Sequence, residues 1–394
     1  MRRALPVLAV VAVLFAGLFA LEKLGPEPPL ADAGKIRLLR VAGPEFDRFI
    51  DDPSPELKQE IGDSYWRMRG FPPAFDDALA YAPPTFLSIN AYGIPARPGG
   101  GVPALIREHP DWVLRDTAGD PLYIPFGCVR GICPQYAADF GNPEWREHLI
   151  GRISGQMEAG YTGVHVDDVN MEWRVSDGTA DFTRPVDPRT GAPMELGDWR
   201  RYMADFTAEI RAAFPDAEIS QNPLWFAGHD DPEIQRQLEA ADYIEVERGY
   251  TDRGLVAGDG DFGFDRLLDH VDWLHDHGLG VITEPYELDE AGAEFELATA
   301  YLVANGDDAV AADFGTLPGQ IWPGWKLDLG PPQGDRYEWR GLWRRDFDGG
   351  VVLVNPPGGE PVSAGLDRDY TDLAGSTVDS IALDGGRALV LERA

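Results

Sequence analysis

The chain reads as an α/β protein, a closed (β/α)8 barrel followed by a small C-terminal antiparallel β domain. Two observations predict the barrel, and a third predicts the appended domain. Residues 34 to about 315 alternate between short apolar runs and longer amphipathic ones, the pattern of strands joined by helical crossovers in a parallel sheet. No Gly-rich phosphate loop follows the first run, which argues against an open dinucleotide-binding sheet. After Asp313 the texture changes to short β-like runs broken by Gly, Pro and Asp, the signature of antiparallel strands.

Eight runs qualify as barrel strands: 35–41, 85–90, 135–139, 163–167, 218–222, 242–247, 280–284 and 309–313. The run 163–167, GVHVD, alternates with period two and stops on acid. Helices are expected over 142–159, 198–214, 232–241, 264–277 and 290–305, where apolar residues recur at helical spacing. Asn142-Pro143-Glu144 and Asp231-Pro232-Glu233 read as N-caps with proline at the first helical position, and Gly160 and Gly278 as helix ends. The segment 41–85 yields no clear assignment. The C-terminal strands are expected at 339–345, 350–355, 377–383 and 387–391. The implied division is 1–33 as a signal peptide or N-terminal membrane anchor, 34–325 as the barrel and 326–394 as the β domain.

Composition narrows the partners. Of 394 residues, 34 are Lys or Arg and 67 are Asp or Glu, a formal charge of −33. Such a surface repels nucleic acid and anionic membranes. It fits adaptation to high salt, where self-repulsion is screened, or a biased codon usage combined with cation binding. Met1-Arg2-Arg3, an apolar run over 4–21 and a polar Pro-rich stretch form an export pattern. Ala31-Asp32-Ala33 offers a cleavage site, yet the run is also long enough to span a bilayer. Secretion and anchoring facing outward therefore both stand. In either compartment the pair Cys128 and Cys133, in CVRGIC, is expected to form a disulfide.

Seven of the candidate strands end on Asn90, Asp139, Asp167, Asn222, Glu247, Glu284 and Asp313. The C-terminal ends of barrel strands face the active-site mouth, and lone carboxylates are costly in a core. Five acids and two amides there point to a functional mouth. Paired carboxylates, one ionised and one protonated, are the minimum chemistry for cleaving a glycosidic bond. Aromatic residues follow closely: Tyr92, Trp173, Trp225, Tyr250, Tyr286, Trp322 and Trp325. Their ring faces suit sugars, and core packing is the alternative for each.

The blocks HPDWVLRDTAGDPLY (109–123), YAADFGNPEWREHL (136–149) and GVHVDDV (163–169), with the tail 325–358, resemble glycoside hydrolases of the α-galactosidase and α-amylase type. They are most similar to families without an assigned substrate, over about 70% of the chain. The resemblance implies a carbohydrate substrate, attacked by Asp167 as nucleophile with Glu247 as acid/base, and retention of configuration. It implies no cofactor. Glu245, one layer deeper, and Glu284 are the substitutes for the second carboxylate. His165 stands where the α-amylase type has an arginine, and Gln221-Asn222 where that type has an acid. Asp168 follows Asp167 and should point to the opposite face while the strand continues. Substrate contacts are accordingly expected from Asn90, Tyr92, Asp139, His165, Asp168, Trp173, Asn222, Trp225, Glu245, Tyr250, Glu284 and Asp313.

Two other classes remain open: a non-catalytic carbohydrate-binding barrel, and a metal-dependent hydrolase or deacetylase using His165, Asp167 and Asp168. No second histidine motif supports a metal, so none is expected. GDGDFG (258–263) lacks the downstream glutamate of a calcium loop and is expected over the mouth. His270, His275 and His277 share one helix and are expected to be solvated.

Overall fold

A computed structural model describes residues 32–97, 101–179 and 181–394. The signal or anchor expected over 1–33 lies, except for Asp32 and Ala33, outside the described residues. Among the described residues no helix is long and apolar enough to cross a membrane. Strands β1 (Arg37–Val41), β2 (Arg67–Gly70) and β3 (Thr85–Asn90) are followed by the short pair β4 (Gly93–Pro95) and β5 (Gln135–Ala137). Then come β6 (Gly163–Asp167), β7 (Glu218–Gln221), β8 (Tyr243–Glu247), β9 (Gly280–Glu284) and β10 (Ala309–Val310). A closed parallel barrel runs β1-β10-β9-β8-β7-β6-β3-β2.

Seven of the eight expected strands lie in this ring, and one substitution corrects the list. The run 135–139 contributes instead to β5, which pairs antiparallel with β4 outside the barrel. Its place belongs to β2, whose sequence is RMRG. A strand with two charged residues does not read as an apolar run. Yet Arg67 forms an ion pair with Glu218 at 2.8 Å, and Arg69 with Glu245 and Glu284. The charge that hides β2 in the sequence is satisfied by strands far away in the chain. Because one strand is gained and one lost, β6 and β8 remain the fourth and sixth strands of the barrel.

The helices are α1 (Pro44–Ile50), α2 (Pro55–Ser64), α3 (Ala104–Glu108), α4 (Pro143–Ala159), α5 (Leu196–Ala213), α6 (Pro232–Leu238), α7 (Phe264–Asp276) and α8 (Glu290–Val303). Asn142 and Asp231 accept from the N–H groups of Glu144 and Glu233, so both expected N-caps form. Gly160 ends α4 at φ +123°. One apolar cluster, with Leu39, Phe86, Tyr243, Ile282, Ala309 and Ala311, is separate from the larger core that includes Trp145, Trp199 and the apolar residues of α8. Of the three histidines expected to be solvated, His270 is buried and His275 partly so. His275 holds Asp308 at 2.8 Å, and His270 is 4% exposed with neither ring nitrogen partnered.

A six-stranded antiparallel sheet follows: β11 (Tyr337–Trp339), β12 (Leu342–Asp346), β13 (Gly350–Asn355), β14 (Val362–Asp372), β15 (Thr377–Leu383) and β16 (Arg387–Arg393), ordered β11-β12-β13-β16-β14-β15. The long β14 was not expected, because only Tyr370 within it is fully buried and its polar alternation carries little apolar signal. The sheet is tied to the barrel through α8. Arg345 donates to the carbonyls of Tyr301, Leu302 and Ala304, closing the C-terminal end of that helix.

Candidate active site

Register brings the acidic strand ends to one level. Asn90 of β3 is paired with Asp167 of β6, and Glu247 of β8 with Glu284 of β9. They open into a cavity of about 550 Å³, within the range of small-molecule sites. Of the expected site residues, nine line it: Asn90, His165, Asp167, Asp168, Asn222, Trp225, Glu245, Glu247 and Glu284.

The floor is a charge network. The Arg69 guanidinium donates to Glu245 at 2.5 Å and to Glu284 at 2.6 Å, and its Nη1 lies 3.1 Å from His165 Nε2. Thus an arginine from β2 lies against His165 of β6. His165 Nδ1 meets Ser220 Oγ at 3.2 Å, so both ring nitrogens are engaged. Burial, then the adjacent Arg69 charge, holds His165 well below its usual pKa and therefore neutral. Glu245 is 1% exposed, and burial raises its pKa well above the usual value, with Arg69 opposing.

Above the floor stand Asp167 and Glu247. Asp167 Oδ1 accepts from Asn222 Nδ2 at 3.0 Å and from the Asp168 N–H at 2.9 Å. Burial raises its pKa, opposed by the Asn222 hydrogen bond and the Arg69 charge. Glu247 lies at the open rim, where Tyr286 donates to it at 3.4 Å. Its pKa is also raised, first by desolvation within the mouth and then by the charges of Asp167 and Glu284, with Asn222 hydrogen bonding opposed to both. Asn222 thus holds Asp167 and lines the same mouth as Glu247.

Asp168 follows the end of the strand rather than its continuation, and it enters the mouth. Strand β6 ends at Asp167, and Asp168 adopts a left-handed conformation, φ +59°. The turn lets consecutive carboxylates line one cavity, at the conformational cost such a non-glycine residue carries. Asn90 and Asn170 donate to Asp168 at 2.5 and 3.0 Å. Burial and the neighbouring Asp167 push its pKa up to about 7.

Five expected contacts lie outside this cavity. Asp139, 2% exposed, is bound by Arg189, because its run left the barrel. Tyr92 is fully buried and donates to the Arg174 carbonyl. Tyr250 is 2% exposed, packed with its N–H on Glu296. Asp313 accepts the backbone N–H groups of Glu287 and Leu288. Trp173 lines an adjacent cavity with Arg174.

The sequence reading missed Arg69, Arg174, Phe126, Phe226 and Phe262, which all line the mouth. Gly70 after Arg69 could have marked a strand end. Phe226 adjoins Trp225, and Phe262 sits in the GDGDFG loop, so that loop does border the mouth. The disulfide Cys128–Cys133 is present and closes the loop that follows Phe126. Among the described residues no group of three or more His, Cys, Asp or Glu side chains is placed to hold a metal ion.

No protein-family model matches the chain, and no curated protein matches it. Solved structures are similar to it at low identity. The glycoside hydrolase domain of PelA from Pseudomonas aeruginosa has 16% identity and a TM-score of 0.42, covering 70% of this chain and 94% of that one. Trehalose-6-phosphate hydrolase from Bacillus licheniformis has 10% identity and a TM-score of 0.48, covering 91% and 99%. An α-galactosidase from Thermus thermophilus has 14% identity and a TM-score of 0.47, covering 79% and 65%. Likenesses of this extent assign no activity, which must be argued from the site.

Proposed function

We propose that the protein is an exported glycoside hydrolase that cleaves an O-glycosidic, α-linked bond in an oligosaccharide or polysaccharide with retention of configuration. The observation that carries this reading is the convergence of Asp167 and Glu247 on one cavity from the ends of β6 and β8. Asp167, fixed by two donors, attacks the anomeric carbon while Glu247 gives its proton to the departing oxygen. Glu247 then takes a proton from water, which displaces Asp167 from the sugar. Retention rests on the sequence resemblance, and it requires the two carboxyls roughly 5–5.5 Å apart rather than the 6.5–9.5 Å of inversion. Glu247 suits the acid better than Glu284, because Glu284 is held by Arg69 while Glu247 stands open at the rim with a raised pKa. The α-linkage rests on the sequence resemblance alone. Export is supported by the N-terminal pattern and by a disulfide, which persists outside reducing compartments.

Asp167→Asn keeps shape and hydrogen bonding but removes the nucleophilic charge. Turnover should fall by roughly three orders of magnitude, on the order of 4 kcal/mol. Glu247→Gln should slow substrates with poor leaving groups most, since only those need protonation. Azide should rescue the two variants to give sugar azides of opposite anomeric form. Near-normal turnover in Asp167→Asn, on a glycoside that the parent cleaves, would end the assignment.

A further inference from the structure

Arg174 lines two cavities. One is the mouth; the other, about 440 Å³, is lined by Glu172, Trp173, Arg174, Phe182, Thr183 and Arg184. In the second cavity most charges are already spent. Glu172 is bound by Arg200, and Arg184 is paired with Glu195 while its Nε donates to the Met194 carbonyl. Arg184 also covers the Trp173 ring at 5.4 Å. Arg174 differs: among the described residues nothing accepts a hydrogen bond from its guanidinium, and it forms no ion pair. It is held by aromatic faces instead, 4.6 Å from the Phe182 ring and 5.8 Å from that of Phe226. Phe182 is 49% exposed. A planar fork of donors without protein acceptors, beside an exposed ring, is a recognition surface for a group that brings both hydroxyls and an apolar face.

We propose that this second cavity is a flanking sugar subsite, so that the substrate is a non-anionic oligosaccharide whose chain runs from the mouth across Arg174 onto Phe182. The proposal rests on the glycoside hydrolase reading and extends it to substrate length and charge. An anionic sugar is disfavoured there, because Glu172 lines the same cavity and the protein carries a net charge of −33. Hydroxyl groups satisfy the guanidinium without that repulsion.

The test uses paired oligomers of two and six units, in neutral α-linked glucose and galactose series. For each, the ratio of kcat/KM on the long oligomer to that on the short one is measured for the full chain, Arg174→Gln and Phe182→Ala. Losing a charged hydrogen-bond donor or a stacking face should lower that ratio about tenfold, and Phe182→Tyr should restore it. Phe182 is half exposed, so its replacement leaves the core intact, which circular dichroism checks. Cleavage of the oligomers with a ratio untouched by either substitution overturns the flanking subsite alone. A parent protein that hydrolyses no member of either series overturns the functional reading, and the subsite with it.

Discussion

At the base of the mouth one guanidinium serves two carboxylates and a neutral imidazole. Arg69 is 6% exposed, so removing it strands Glu245 and Glu284 without a counter-charge. Arg69→Met should cost about 3–5 kcal/mol of stability at neutral pH, measured by denaturant unfolding; a loss below about 1 kcal/mol would show that the carboxyls find other partners. The same environment bears on pH. Asp167 must be ionised and Glu247 protonated, and the pKa of each is raised. A plot of kcat/KM against pH should be bell-shaped, with both limbs above the ordinary carboxylate range. A profile flat down to pH 4 would contradict the assigned roles.

Helix α8 joins the barrel to the β domain, and it buries a carboxyl on the way. Glu296 is fully buried, and its Oε2 accepts the N–H of Tyr250 in the loop that follows Glu247. Burial pushes its pKa up to about 7 from an ordinary 4.5. A raised folded-state value means the stability is whole below about pH 4.5 and lost as pH rises through about 7. The shift corresponds to about 3 kcal/mol. Glu296→Gln keeps the acceptor and removes the titration, so its melting temperature should change less between pH 5 and 8 than that of the parent. Equal slopes would locate the dependence elsewhere. The disulfide loop is the other element with a defined energy. It closes a loop of about six residues, for which the chain-entropy model gives about 2 kcal/mol. Replacing Cys128 and Cys133 together with serine should cost no more than that, read as a modest fall in denaturant midpoint.

For the whole molecule, the C-terminal sheet completes the barrel's outer face. Besides Arg345 on the end of α8, Trp343 donates to Asp265, Arg336 pairs with Asp272, and the Val390 N–H reaches Glu294. A chain cut after Asp328 would expose α8, which is buried along most of its length. Calorimetry should show a cooperative unfolding transition for the intact protein and none for this shortened chain. At the other end, Ala33 is buried and Gly34 accepts from Leu329. A shortened chain that starts at Asp32 should therefore stay soluble and folded, and its aggregation would assign residues 1–31 to the fold.

The amino-acid sequence by itself determined the barrel, the caps of α4 and α6, the disulfide and the acidic strand ends. Each of these is written locally, as a period, a cap residue or a spacing. The tertiary structure alone decided what local pattern cannot carry. Strand β2 was hidden because Arg67 and Arg69 are neutralised by Glu218, Glu245 and Glu284, between about 150 and 215 positions away. Asp139 shared the acidic ending but left the mouth, since pairing with β4 rather than a barrel strand fixed its run. Asp168 entered it through one left-handed residue. Burial and partnership are properties of the closed ring. A charge that looks like surface in the chain becomes interior once another strand brings its counter-charge.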